Sequence, residues 1–333
     1  MNTRTEQKRS AGFFQEIIRV ISPTEMVTFV FIILMLILTT FFHAFVDVPG
    51  ILINSFILLS ATVIINYLRA KSDSKFIRAI HVFYVLLVVI LVFKTVEKLS
   101  FAIHGRDYDQ WLITIDHFLL GGINPTVWLY QHVPVMPFFV EFLQICYVMY
   151  YLLPVILAVE FFMRRKREHR IDHNTDELEV LRFTIVYGLL LSYLGYFALP
   201  GIGPRFTLHT FWNISSELPG ILLTEPLRWL INLGENIQAG MSNFEAARVV
   251  TRDVFPSGHT EITLLSIFLG FKFRARTRWV VLFIGSGLIF STVYLRYHYF
   301  IDVIAGTLVA LLAFYSAIPV IHYLLRLKKR ILC

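Results

Sequence analysis

Apolar stretches of roughly 20 residues, the length that crosses a bilayer as an α-helix, constrain the fold of this chain more than any other feature. Backbone groups inside a bilayer are satisfied only within helices or closed barrels. Charged residues make up only 16% of the chain, below the ~25% of a soluble domain. We therefore predict an all-α polytopic membrane bundle of about eight transmembrane helices. The predicted spans are 26–46, 50–68, 78–97, 137–163, 180–200, 259–273, 279–296 and 299–325.

The distribution of basic residues predicts the orientation of these spans. Most of the 30 Lys and Arg residues lie in the N-terminal segment, the C-terminal tail and the loops at 69–78, 164–182 and 272–278. Lys and Arg concentrate in cytoplasmic loops, and eight spans place both termini in the cytoplasm. The net charge of +7 is then a topology signal and a contact for anionic lipids, so we expect no nucleic-acid partner.

The polar content of the spans and loops suggests how the chain is organised. We expect a cytoplasmic or interfacial N-terminus, an accessory pair of spans, a six-helix catalytic core with two long outer loops, and a short cytoplasmic tail. The outer loops face the periplasm, a lumen or the exterior, and the second is long enough to cover a site. The predicted boundaries are 1–25, 26–77, 78–325 and 326–333, with outer loops at 98–136 and 201–256.

His298 and Asp302 form the first candidate pair. The last two predicted spans must fit into 279–325, so the turn between them is tight and falls near 296–298. Asp302 then lies on the same helix face as His298, one turn deeper. A carboxylate there can fix the tautomer of the imidazole and make its other nitrogen a nucleophile. Ionisable groups inside membrane helices are generally functional; the alternative is a structural hydrogen bond that closes the helix pair.

A second histidine follows Pro256-Ser257-Gly258 at the start of another predicted span. Ser257 is a natural N-cap, and Gly258 lets the backbone approach an anion closely. The free N–H groups of a helix N-terminus attract phosphate. His259 can then protonate a leaving oxygen, since its ordinary pKa is near neutrality. The alternative is an interfacial histidine that only marks the helix start.

Arg205 and Arg296 are the candidate phosphate ligands, together with Ser257 and Gly258. A guanidinium is planar and always charged, so it can hold two phosphate oxygens at once. Two such cations supply the charge stabilisation that a metal would give, so we expect neither a metal nor a cofactor. For either arginine the alternative is a residue at the membrane interface without a catalytic role.

Two classes of function fit these residues. The first is an enzyme that transfers a phosphoryl group or a phosphorylated headgroup to His298 and then to water or to a lipid hydroxyl. The second is a membrane transporter or channel, in which intramembrane His and Asp form an ion path. A transporter places such charges near the bilayer midplane, whereas here they gather at one end of the spans. The pattern favours chemistry on a lipid headgroup at the membrane surface.

The two motifs resemble a known family. Pro256-Ser257-Gly258-His259, followed by Ser291 and by His298-x-x-x-Asp302, is similar to the second and third signature motifs of the type 2 phosphatidic acid phosphatase superfamily. Tyr294-Leu295-Arg296-Tyr297-His298 resembles the inositol phosphorylceramide synthase-like branch. The resemblance implies a metal-independent reaction in which His298 attacks phosphorus, Asp302 orients it and His259 protonates the leaving alcohol.

The sequence departs from the family pattern at two positions. The usual first motif ends in Arg-Pro, whereas here Pro204 precedes Arg205, and Ala198 stands where a Lys is expected. The usual Arg of the third motif is Thr292, and Arg296 lies one helical turn further on. A site with one cation fewer suits a phosphodiester, which carries less charge than a phosphomonoester. We therefore expect a lipid phosphatase or phosphotransferase that acts on a lipid phosphate or a phospholipid headgroup.

Overall fold

The computed structural model describes residues 13–72, 74–164 and 176–332 and contains helices but no strand over those ranges. The all-α prediction is confirmed. The basic residues expected at the N-terminus before residue 13, and those at 165–175, lie outside the described residues. The helices, in chain order, are α1 Phe13–Val20, α2 Pro23–Phe41, α3 Val48–Lys71, α4 Lys75–His104, α5 Asp109–Leu119, α6 Pro125–His132, α7 Pro137–Val148, α8 Leu152–Arg164, α9 Glu177–Ala198, α10 Pro204–Thr207, α11 Ile214–Glu217, α12 Thr224–Gly234, α13 Asn243–Val249, α14 Gly258–Lys272, α15 Arg278–Tyr294 and α16 Phe300–Leu332.

The number of long helices differs from the predicted eight. Helices α14 and α15 lie where the sixth and seventh spans were expected, but they have only 15 and 17 residues. At 1.5 Å per residue, α14 is about 22 Å long, shorter than the ~30 Å hydrocarbon core. Within the described residues, six helical segments are long and apolar enough to cross a membrane: Pro23–Phe41, Val48–Lys71, Lys75–His104, Pro137–Arg164, Glu177–Ala198 and Phe300–Leu332.

The chain divides into two compact units. The first comprises residues 1–98 and 316–333, and the second comprises 99–315. In the first unit, Glu25 near the start of α2 is buried and accepts a hydrogen bond from the Tyr84 hydroxyl. All candidate site residues belong to the second unit.

Close packing of α14 and α15 sets the geometry of the second unit. A Cβ at Gly285 of α15 would lie 2.8 Å from the side chain of Thr263 of α14, so glycine permits the short distance between these helices. Helix α15 also packs on α7, and α14 on α9. Ser257 caps α14, as its sequence position predicts.

The tight turn between α15 and α16 is confirmed. Helix α15 ends at Tyr294, and the carbonyl of Thr292 accepts the backbone N–H groups of both Tyr297 and His298. Arg296 has a left-handed backbone with φ of 68°, the conformation that commonly terminates a helix. The turn delivers His298 next to the first residues of α16.

Candidate active site

His298 is buried in the turn before α16. Its Nδ1 is 2.9 Å from the backbone carbonyl oxygen of Val254. A carbonyl oxygen only accepts hydrogen bonds, so Nδ1 carries the hydrogen and the lone pair lies on Nε2. Burial lowers the pKa of His298 from 6.5 to about 4, so the imidazole is neutral near pH 7. A neutral imidazole with a free Nε2 can act as a nucleophile.

Asp302 lies in the first turn of α16, and its carboxylate is completely buried. Its Oδ2 is 3.4 Å from Nδ1 of His298 and accepts the backbone N–H of Tyr299 at 2.7 Å. Two acceptors therefore face Nδ1, and the closer one is the carbonyl of Val254. The sequence predicted Asp302 as the orienting group; it carries no signal that would identify a backbone carbonyl in the same position.

His259 meets His298 directly. Its ring lies against Tyr147 and Tyr150, with centroids 4.4 Å and 4.0 Å away. Its Nδ1 is 3.4 Å from Nε2 of His298. Two residues 39 positions apart are thus in contact, each at the beginning of a helix. Because the two nitrogens are at contact distance, a phosphoryl group that reacts between them must separate the rings.

Ser257 and Gly258 serve the local structure of α14. The hydroxyl of Ser257 accepts the backbone N–H of Thr260 at 3.2 Å, and the backbone N–H of Ser257 donates to the carbonyl of Asp302 at 3.0 Å. The latter bond joins the two motifs. A Cβ at Gly258 would lie 2.7 Å from the Tyr196 hydroxyl, so a close contact with α9 requires glycine. Phosphate binding by this pair stays a prediction.

Arg205 is connected to His259 by a stack of aromatic rings. Its guanidinium carbon lies 4.4 Å from the ring centroid of Tyr297, which stacks at 3.9 Å on Tyr147, the ring that also contacts His259. Nη2 of Arg205 donates to both carboxylate oxygens of Glu235, at 2.7 Å and 2.9 Å. Its Nε has no hydrogen-bond partner among the described residues.

Arg296 is fully buried and pairs with Glu217 through Nη1. Its guanidinium carbon lies 4.5 Å from the ring centroid of Tyr130. Within the described ranges, its Nε and Nη2 have no hydrogen-bond partner. Both predicted phosphate-binding arginines are therefore already paired with a glutamate, and whether they bind phosphate stays a prediction. The sequence did not reveal these pairs, because Glu217 is 79 residues from its partner.

Sequence reasoning also missed Asp109, which is buried at the start of α5. Its carboxylate accepts the backbone N–H groups of Ile202 and Gly203 and the hydroxyl of Tyr299, at distances from 2.7 Å to 3.1 Å. Burial raises the pKa of Asp109, and these hydrogen bonds oppose that shift. Gly203 has a φ of 91°, and a Cβ there would lie 3.0 Å from the carbonyl of Tyr297. The loop before α10 thus requires glycine and a buried carboxylate.

Sequence reasoning also missed Asp116, which lies two turns further along α5. It is buried and accepts the backbone N–H groups of Phe300 and Ile301, at 2.9 Å and 2.7 Å. Burial raises its pKa, while these two bonds lower it. A carboxylate at this position satisfies free N–H groups at the N-terminus of α16. Its partners are more than 180 residues away, so no local pattern could identify it.

A cavity of about 360 Å³ lies beside Arg205. Arg205 and Tyr297 form part of its wall, and the other side chains combine aromatic rings with hydrogen-bonding groups. The volume is that of a small-molecule site. The aromatic and polar side chains of the remaining wall are Phe211, Trp212, Trp229, Ser215, Glu225, Arg228, Asn232 and Gln238.

The comparisons with known proteins identify one family. A model of the PAP2 superfamily matches residues 110–316, which is more than half of the chain. The matched range contains His259, His298 and Asp302, the three residues that the motifs predicted to be catalytic. No curated protein and no solved structure matches the chain.

Proposed function

Because the chain belongs to the PAP2 superfamily, we propose that it is an integral-membrane lipid phosphatase or phosphotransferase that forms a phosphohistidine on His298. Members of the superfamily are generally phosphatases or phosphotransferases, and the six long apolar segments place the chain in a membrane. The observation that carries the proposal is the contact between Nε2 of His298 and His259, with Nδ1 held by Val254.

The first half-reaction transfers the phosphorus group to His298. The lone pair on Nε2 attacks phosphorus, and the bond between phosphorus and the leaving alkoxide breaks. His259 donates a proton to that oxygen, so a neutral alcohol leaves. The phosphorylated imidazole is positively charged, and the buried carboxylate of Asp302 lies 3.4 Å from Nδ1, where it stabilises that charge.

The second half-reaction returns the enzyme to its starting state. His259, now neutral, takes a proton from water or from a lipid hydroxyl, and the oxygen attacks phosphorus. The bond between phosphorus and Nε2 of His298 breaks, and the electron pair returns to the imidazole. Water as acceptor makes the enzyme a phosphatase, and a lipid hydroxyl makes it a transferase. If the site admits both water and a lipid hydroxyl, the ratio of hydrolysis product to transfer product depends on how often each acceptor occupies the site.

Arg205 and Arg296 hold the phosphate oxygens in this proposal, with Ser257 and Gly258 at the end of α14. Nε of each arginine is buried without a partner among the described residues, so each can still donate one hydrogen bond at little further desolvation cost. The glutamates that already pair with these arginines reduce the net positive charge. That reduction favours a phosphodiester with one negative charge over a phosphomonoester with two.

The cavity beside Arg205 supports the finer part of the proposal, an inositol phosphorylceramide synthase-like reaction on a phospholipid with a polyol headgroup. Trp212 and Trp229 offer flat apolar surfaces to the C–H groups of a ring, and Asn232 and Gln238 offer hydrogen bonds to hydroxyls. A headgroup of that kind fills a space of this size. The acceptor is then a lipid hydroxyl, and sphingolipid-like alcohols are among the candidates.

The active site is proposed to face away from the cytoplasm, because the basic loops are expected on the opposite side. Labelling with a membrane-impermeant thiol reagent tests this in intact cells. In a variant with Cys333→Ser, a cysteine at Ser216, which is exposed, is expected to react, and one at Arg276, also exposed, is not. The reverse labelling pattern would place the site in the cytoplasm.

The reaction is tested with the purified protein in vesicles that contain a panel of phospholipids and lipid phosphates, with products identified by mass spectrometry. We expect turnover of at least one phosphodiester lipid, in excess EDTA, and its loss in His298→Asn. His132→Gln, an exposed histidine stacked on Trp128, is the matched control and should keep full activity. Absence of any phosphorus transfer, or restoration by Mg²⁺ or Zn²⁺ after chelation, would contradict the proposal.

A further inference from the structure

Helix α5 has two faces of opposite character. Asp109, Leu112 and Asp116 lie on one face and are at most 5% exposed. Trp111 and Phe118 lie on another face and are 62% and 86% exposed. Spacings of three and four residues in the first set, and of seven in the second, place each set on one side of a helix. The buried face carries two carboxylates, and the exposed face is apolar, which reverses the usual arrangement of a helix on a water-soluble protein.

Each residue of the buried face holds a different part of the proposed active site. Asp109 binds the turn at Ile202–Gly203 that leads to Arg205. Leu112 packs against Val254, whose carbonyl fixes the tautomer of the proposed nucleophile. One face of α5 therefore contacts two of the segments that must converge for catalysis.

The third segment is held by Asp116. Its carboxylate binds the first two residues of α16, which follow Tyr299 and directly precede Asp302. Because α5 is a rigid element, the three segments keep fixed positions relative to one another only while α5 keeps its own. A catalytic group displaced by about 1 Å loses on the order of 100-fold in rate.

The exposed face of α5 has the chemistry of a membrane surface. The helix begins five residues after α4 ends at His104, and α4 is one of the long apolar segments. Five residues span at most ~18 Å, so α5 cannot lie far from the end of that segment. Tryptophan is enriched at the level of lipid headgroups, and helices with one apolar face lie in the plane of the interface. A lipid bilayer is therefore the partner that covers Trp111 and Phe118.

We propose that α5 is a lipid-contacting positioning helix: its exposed apolar face rests on the bilayer, and its buried Asp109 and Asp116 hold the Arg205 turn and the start of α16 in register. Contact of Phe118 with lipid thereby helps to keep α5 in place, and α5 in turn holds the start of α16, next to His298, in its position. The kinetic consequence rests on the proposed function, whereas the membrane contact does not.

The two carboxylates should affect different kinetic constants. Asp116→Asn is expected to lower kcat on the order of 10- to 100-fold with little change in KM, since it acts on the segment that carries the proposed nucleophile. Asp109→Asn is expected to raise KM and the inhibition constant of vanadate by roughly tenfold, since it acts on the turn before the proposed phosphate ligand. Gln110→Ala, an exposed position on the same helix, should match the wild type.

A general loss of folded protein cannot produce this split, because it scales the apparent kcat of both variants and leaves KM unchanged. Equal changes of both constants in the two variants, or no change in either, would overturn the positioning role. If either aspartate variant fails to fold, the exposed-face variant Phe118→Gln replaces it. Phe118→Gln is expected to fold and to lose at least about threefold in kcat in vesicles. Wild-type activity of Phe118→Gln would show that lipid contact on α5 does not affect the geometry at His298.

The membrane contact is measured without turnover. In a variant lacking Cys146 and Cys333, a polarity-sensitive fluorophore is attached to a cysteine at Phe118 or, as control, at Gln110. We expect blue-shifted emission at 118 and water-like emission at 110 in vesicles. Water-like emission at both positions overturns the lipid contact. If the fluorophore at 118 reports lipid contact but no lipid is turned over, the proposed function is wrong, whereas the proposed contact of α5 with the bilayer is supported.

Discussion

Replacing Asp302 with asparagine separates two roles that a carboxylate beside a histidine can have. It can set the tautomer, or it can stabilise the positive charge of the phosphorylated imidazole. In this structure the carbonyl of Val254 lies closer to Nδ1 of His298 than Asp302 does, at 2.9 Å against 3.4 Å. The tautomer therefore survives in Asp302→Asn, and only the charge stabilisation is lost.

The size of the loss follows from this geometry. A hydrogen bond to a charged partner contributes ~1.5–3 kcal/mol, and each 1.36 kcal/mol changes a rate tenfold. We therefore expect kcat to fall about 10- to 150-fold in Asp302→Asn. A triad whose carboxylate alone sets the tautomer loses about 10⁴-fold on the same change.

The assay is single-turnover product formation from a lipid substrate in vesicles, normalised to folded protein. Val254→Ala, which keeps the backbone carbonyl, is the matched control for disturbance near His298. A loss of about 10⁴-fold in Asp302→Asn would show that the carboxylate and not the carbonyl sets the tautomer. A loss below about threefold would show that no positive imidazole needs stabilising, and the phosphohistidine route would be refuted.

Three further outcomes follow from the same geometry. Burial lowers the pKa of His298 to about 4, so the nucleophile stays neutral as the pH falls from 7 to 5.5. In His259→Ala, where the proposed acid no longer titrates, we expect kcat/KM on a nitrophenyl ester to change less than about twofold over that range, and a loss of activity below pH 6.5 would contradict the assignment. His259→Ala should slow a poor leaving group at least about tenfold more than a nitrophenyl ester, and equal losses would show that His259 is not the acid. Glu235→Gln should tighten inhibition by vanadate about three- to tenfold, because Arg205 loses its paired carboxylate; weaker inhibition would show that Arg205 does not face the phosphate.

Local sequence patterns predicted the helices and the convergence of the two motifs. Apolar runs mark long helices because only those lengths span a bilayer, and the serine cap at Ser257 fixed the start of α14. The space left for two helices between 279 and 325 fixed the turn before α16. Two helix starts on one side of a bundle then bring His259 and His298 together, as the structure shows.

The polar supports of the site could not be predicted in this way. Asp109 and Asp116 bind backbone groups 93 and 184 residues away, and Glu235 lies 30 residues from Arg205. No periodic pattern connects such partners, since they depend on how the helices pack. The predicted spans 259–273 and 279–296 lie within two residues of α14 and α15 at each end, but helices of 15 and 17 residues are too short to count among the six long apolar segments.

The covalent intermediate is the central claim, and its detection at a single residue is the most direct test. The protein is mixed with a turned-over lipid, quenched within milliseconds in alkali, where phosphohistidine survives, digested, and analysed by tandem mass spectrometry. We predict a phosphorus-containing adduct on the imidazole of His298. In His259→Ala supplied with a nitrophenyl ester, whose leaving group departs without the acid, the adduct is expected to accumulate because transfer to the acceptor is slowed. Turnover with no adduct on His298, or with the adduct on another residue, would contradict the account.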